Sequence, residues 1–139
     1  VVSFSAPCVF KNELLKLPKL GCINLHCSLL PKYAGLLPSF WALYEKADML
    51  GATVHQMDDK IDNGAILGQV EISRPSELSM FNVIKATKRA GGHLMVSVIS
   101  EILSENSKVQ SNRVESKDYY SWPTIEQIKE FRRNGGRLI

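Results

Sequence analysis

Cysteine is scarce in this sequence: Cys8, Cys22 and Cys27 are the only three among 139 residues, and no two share a C-x-x-C spacing. An odd, unpaired set argues against a disulfide framework and fits a reducing compartment, so a cytoplasmic home is the expectation. No apolar run approaches the roughly eighteen residues of a membrane-spanning helix. No charged segment leads into a short apolar one as in a signal peptide, and no internal repeat is visible. Charge of one sign is not in excess either: 17 Lys and Arg against 14 Asp and Glu leave a net +3, spread along the chain apart from a late group between Lys129 and Arg137. That balance permits an anionic substrate without demanding nucleic acid. An initiating Met is also lacking, and Val1-Val2-Ser3-Phe4 reads as a strand already under way, which predicts that an N-terminal half precedes it.

What is present suits one soluble globular domain, because a chain this long, 45% hydrophobic, can bury a core. After the opening strand, Ser5-Ala6-Pro7-Cys8 reads as a turn. A helical stretch from Asn12 to Leu17 follows, which Pro18 ends. Gly21 introduces a second strand, CINLH. From Pro38 apolar residues recur at helical spacing, with the proline in the first turn where its missing N–H does no harm, predicting a helix to about Asp48. GATVHQM and AILGQVEI are β-rich runs split by the polar turn from Asp58 to Gly64, a hairpin-like pair. The apolar face from Ser76 to Leu103 predicts one long helix, with Gly91-Gly92 as a weak point or a close-packing site. Residues 104–116 have a linker composition. Thr124 and Gln127 form a capping-box pattern that opens a last helix, closed by Gly135. The series is that of an α/β sheet with flanking helices.

Alternation along CINLH puts Cys22, Asn24 and His26 on one face and Ile23, Leu25 and Cys27 on the other. The second set suits a core. Asn24 and His26 then emerge near the carboxyl end of a strand, where open α/β sheets place their ligands. An amide can hold a carbonyl oxygen, and an imidazole beside it can supply a proton or a positive charge as that oxygen becomes an oxyanion, so the pair suits acyl chemistry. An isolated pair of this kind more often satisfies backbone groups.

The wider series decides between these readings. Asn24-x-His26, Ser28-Leu29-Leu30-Pro31, Tyr33, Gly35, Pro38, Trp41, Gly51-x-Thr53-x-His55 and Asp62-x-Gly64-x-Ile66 occur in order, and from Val1 to Leu103 the chain resembles the formyltransferases that use 10-formyltetrahydrofolate. The resemblance implies the C-terminal half of a Rossmann-like formyltransferase sheet, with residues 1–104 as a catalytic region and 105–139 as linker and short helical tail. It implies catalytic roles for Asn24, His26 and Asp62, and formyl transfer from the folate to an amine: methionyl-tRNA, an amino sugar or glycinamide ribonucleotide. Phe4, Ser5, Ala6, Pro7, Cys8 and Val9 align with the loop that holds the pterin, and Asp58 and Asp59 with its other wall. Ser28 and Gly35 fall on the acceptor side, although Ser28 serves equally well as a cap of the Leu-Leu-Pro turn. His55 reads as structural or pocket-adjacent, Trp41 as core, and His93 as a surface or helix-packing residue. A carboxylate beside an imidazole raises its pKa, which predicts a His26 substantially protonated near neutrality.

Two other readings stay open at this level. The same trio can direct water in place of an amine, making a formyltetrahydrofolate hydrolase. A chain without the family's N-terminal half can be a non-catalytic binding module, its exposed sheet covered by that half or by a second copy. A metal site from Cys22, His26 and Cys27, or a calcium loop at Asp59, lacks ligands at the required spacing. The tail from Tyr119 to Arg133 resembles a segment that packs back on the catalytic domain, and its aromatic and basic residues alone are weak grounds for RNA binding.

Overall fold

The computed structural model describes residues 1–5 and 9–139, and Ala6, Pro7 and Cys8 lie outside it. Its main sheet has four strands: β1 (Val2–Phe4), β2 (Ile23–His26), β4 (Leu50–Gln56) and β5 (Ile66–Ile72), adjacent in that order. β1 runs parallel to β2, whereas β2, β4 and β5 pair antiparallel, so the sheet is mixed. The β4–β5 hairpin is the one the two β-rich runs predict. A second, two-stranded sheet joins β3 (Ala34–Gly35) to β6 (Tyr119–Tyr120) in parallel.

Among the described residues four α-helices accompany these strands. α1 (Asn12–Leu15) is shorter than its sequence suggests and buries nothing. α2 (Pro38–Tyr44) stops before Asp48 because Lys46 takes a left-handed φ of 55°, which no helix continues. α3 (Met80–Leu103) starts four residues later than Ser76, where the Ser79 hydroxyl accepts the Asn82 N–H at 3.2 Å. α4 (Ile125–Arg133) begins at Thr124 with the expected reciprocal cap, Thr124 Oγ1 taking the Gln127 N–H and Gln127 Oε1 taking the Thr124 N–H. No helix among the described residues is long and apolar enough to cross a membrane.

α3 lies against the sheet over Ile23, Leu25, Ala52, Val54 and Leu67, with Met95 and Val98 closing that core. Gly91 makes the approach close: a Cβ there would stand 2.4 Å from Leu25 Cδ1 and 3.2 Å from the Ala52 Cβ. Of the two expectations for the Gly91-Gly92 pair, close packing is the one realised, and by Gly91 alone. A second core gathers Tyr33, Phe40, Trp41, Leu50 and Val83 around Phe131 of α4. The tail is tied further by Trp41 Nε1–H donating to Ser121 O at 3.0 Å. The main-chain N–H groups of Met80 and Phe81, free ends of α3, donate to Arg137 O and Leu138 O at 2.9 and 3.1 Å.

Candidate active site

Strand register builds the site. β2 and β4 pair so that Asn24 lies opposite His55 and His26 opposite Thr53. A bulge in the β4–β5 ladder falls between Val54 and His55, the kind of irregularity that re-aims a side chain. Asn24 Nδ2 stands 3.3 Å from His55 Nε2. Asp62 reaches both imidazoles from the β4–β5 turn: Oδ2 is 3.4 Å from His26 Nδ1 and Oδ1 is 3.5 Å from His55 Nε2. Its backbone is left-handed, with φ 51°, a region an aspartate enters more readily than most residues. Gly64 permits the tight return of that turn, since a Cβ there would fall 1.9 Å from Gln56 O.

Each imidazole is held at its other nitrogen by a main-chain carbonyl, His26 Nε2 to Tyr33 O at 2.8 Å and His55 Nδ1 to Gln56 O at 2.7 Å. A carbonyl only accepts, so these two nitrogens carry hydrogens, and in His26 the nitrogen facing Asp62 is the one free to gain or lose a proton. The Gly35 N–H donates to Asp62 Oδ2 at 2.8 Å. Burial would raise the pKa of Asp62, but the His55 contact, the His26 ring and the Gly35 N–H together hold it below the usual carboxylate range. His26 departs from expectation: burial lowers its pKa and outweighs the opposing pull of Asp62 and the Tyr33 carbonyl. The sequence foretold a largely protonated His26 because it showed the carboxylate and not the desolvation.

Asn24, His26, His55 and Asp62 line one cavity of about 530 Å³, within the usual range for small-molecule sites. Ser5, Val9, Asp58 and Gly35 line it as well. Phe4 is half exposed on the sheet edge and Asp59 is exposed, both outside that lining. Ala6, Pro7 and Cys8 fall on the residues not described. Ser28 turns away to a second cavity of about 470 Å³, where its hydroxyl donates to Lys32 O at 2.7 Å, the turn-capping option of the two open to it. Trp41 is buried in the core and His93 is exposed. Among the described residues no group of three or more His, Cys, Asp or Glu side chains is placed to hold a metal ion.

His55 and Gly35 are the contacts that sequence reasoning underrates. The signal for His55 was its place in the Gly51-x-Thr53-x-His55 run, but only antiparallel pairing in this register sets it opposite Asn24. The role of the Gly35 N–H leaves no trace in side-chain identity.

Comparisons with known proteins place the chain in a family. A family model described as formyl transferase matches residues 7–99. The methionyl-tRNA formyltransferase of Thermodesulfovibrio yellowstonii is 38% identical over 94 residues, which are 68% of this chain and 30% of that protein. The bifunctional polymyxin resistance protein ArnA of Wigglesworthia glossinidia brevipalpis is 34% identical over 121 residues, 87% of this chain and 18% of its own length. Among solved structures, a 4-N formyltransferase from Francisella tularensis superposes with a TM-score of 0.74 at 28% identity, covering 94% of this chain and 51% of that one. The formyltransferase PseJ from Anoxybacillus kamchatkensis, in complex with UDP-4,6-dideoxy-4-formamido-L-AltNAc and tetrahydrofolate, gives 0.76 at 19% identity over 95% of this chain and 67% of that one, a likeness of fold. The chain thus spans less than a third of the two curated relatives. A match that runs through both strands of the site, the Asp62 turn and most of α3 establishes that the chain belongs to the formyl transferase family.

Proposed function

We propose that the protein takes the formyl group of 10-formyltetrahydrofolate and transfers it to an amine acceptor. The observation that carries this reading is the convergence of Asn24, His26 and Asp62, from two separated segments, on one wall of a cavity of about 530 Å³. Asn24 Oδ1 is buried there with no hydrogen-bond partner among the described residues. An unpaired buried acceptor costs about 1–3 kcal/mol, which a ligand N–H removes on binding. A pterin and an amine both offer such a donor, so the cavity fits the donor chemistry.

When bound, the folate supplies an electrophilic formyl carbon. The chain's own groups do the rest. His26 spends its Nε2–H on Tyr33 O and keeps Nδ1 bare toward Asp62, so a proton leaving the acceptor amine, directly or through water, has a place between Nδ1 and the carboxylate. Burial keeps His26 neutral beforehand and therefore able to take that proton. Once protonated, the ring has an oxygen acceptor on each nitrogen, and its positive charge borders the cavity in which the formyl oxygen becomes negative. Asn24 and His55 complete the polar wall. After the amine has added to the formyl carbon, the His26–Asp62 pair would return the proton to the folate nitrogen as its bond to that carbon breaks, leaving the formyl group on the acceptor.

The acceptor is an amine of the kinds the relatives' names indicate: methionyl-tRNA, or a small amine such as an amino sugar nucleotide or glycinamide ribonucleotide. The test gives the full-length protein formyl-labelled folate with a panel of such amines, with methionyl-tRNA, and with no acceptor. Label appearing on one amine is the expected result. Formate released equally with and without amines identifies a hydrolase in its place, and a donor left unconsumed in every arm leaves a non-catalytic binding module.

A further inference from the structure

The Asp62 turn is gripped by a part of the chain that lies beyond the matched residues 7–99. Gln110 exchanges main-chain hydrogen bonds with Ile66 at 2.8 and 2.9 Å, which draws the segment alongside β5. Two residues on, Asn112 donates both amide hydrogens into the turn, to Asp62 O at 2.8 Å and to Gly64 O at 3.2 Å. The Val114 N–H then donates to Asn63 Oδ1 at 3.1 Å. Asp62, Asn63 and Gly64 are therefore each held from one side, by Asn112 or by Val114.

The orientation of Asn112 is not free. Two carbonyls confront it, each able only to accept, so the NH2 group must face them. Its Oδ1 is left buried with no partner among the described residues, a desolvation cost the residue bears in exchange for those two bonds. The same segment reaches the other side of the carboxylate through β6, which pairs with β3 and places Tyr120 O to accept the Leu36 N–H at 2.8 Å. That pairing sets Gly35, whose N–H binds Asp62 Oδ2. A left-handed aspartate, itself unfavourable, persists only where its surroundings over-determine it.

We propose that Asn112 is a positioning residue for Asp62, holding the Asp62–Gly64 turn so that the carboxylate stands between His26 and His55. This assignment rests on the part proposed above for Asp62 in formyl transfer, yet the place of the carboxylate is readable without turnover. In the full-length protein carrying isotope-labelled histidine, the His26 and His55 rings are titrated by NMR in wild type and in Asn112→Ala, and formyl transfer is measured alongside. A loosened carboxylate supports the His26 imidazolium less, so the His26 midpoint moves to lower pH in the variant. The kcat falls on the order of tenfold to a hundredfold, the range expected of a small misplacement, with KM for the folate donor little changed. Val98→Ala, a cavity in the α3 core that touches neither Asp62 nor Asn112, serves as the control that loses stability and moves neither readout. Should Asn112→Ala fail to fold, Asn63→Ala removes the neighbouring anchor and is read in the same way. An unmoved His26 midpoint together with an unchanged kcat overturns the assignment. A shifted midpoint in a protein whose wild type transfers no formyl group upholds the positioning and removes the proposed function.

Discussion

At the scale of residues, the site is governed by competition between burial and charge. Burial lowers the pKa of His26 below its ordinary 6.5. The unfolded chain therefore takes up a proton as pH falls through 6.5 that the folded chain still refuses. The contribution of His26 to stability is complete above that pH and is lost as pH falls toward the folded value. Asp62, lowered from 3.8, contributes fully above that value and loses its share only in stronger acid. Urea midpoints are thus expected to be higher at about pH 8 than at about pH 5.5, and His26→Gln is expected to flatten the difference. Equal midpoints in the wild type would show that desolvation does not dominate. For catalysis, Asp62→Asn keeps the shape of the turn but removes the charge that, in the proposed transfer, supports His26 as it takes up the amine proton. It is expected to lower kcat by about a hundredfold or more while folate affinity, followed by fluorescence titration, stays near wild type. Turnover close to wild type would remove Asp62 from the reaction.

At the scale of elements, most of the pattern was legible and most of the boundaries were not. The apolar stripe of α3 and the alternation of β2 are periodicities carried by near neighbours, so they could be read directly. The stop of α2 and the late start of α3 depend on a single backbone angle and a cap, the left-handed Lys46 and the Ser79 hydroxyl, which leave little mark on composition. The Gly91-Gly92 pair shows the limit well. In sequence the two are alike, but Gly91 faces Leu25 and Ala52 while a Cβ on Gly92 would meet nothing within 4 Å. Gly92→Ala is therefore expected to stabilise the protein by about 0.5–1 kcal/mol, by reducing the freedom of the unfolded chain within a helix. Gly91→Ala is expected to destabilise it by about 1–3 kcal/mol, because fully buried Leu25 has little room to retreat. Thermal unfolding of the two variants checks both signs at once.

At the scale of the whole molecule, residues far beyond the family match complete the core. Phe131 of α4 is only 4% exposed and packs its ring 5.0 Å from that of Phe40. A linker-like stretch of Ser, Asn, Lys and Glu precedes it, and composition there reported neither the Asn112 anchors nor the β3–β6 pairing. Phe131→Ala is expected to cost about 3–5 kcal/mol, as for other buried aromatics, and to release the tail from α2. Limited proteolysis would then cut between residues 104 and 124 before the rest of the chain. Unchanged protection would mean that the tail is held without this ring.

What the sequence by itself determined is the chemistry on offer: an Asn and a His on one face of a strand, an Asp-x-Gly turn, and the ordered series that marks the family. These follow from strand alternation and from residue identity, both local properties. The tertiary structure alone decided which groups meet and how they are charged. The antiparallel register of β2 and β4 brings His55 to Asn24, the turn brings Asp62 between two imidazoles, and a segment some fifty residues downstream holds it there. The reversal of the expected His26 shift has the same origin. Desolvation is a sum over every atom packed around the ring, and most of those atoms belong to distant parts of the chain.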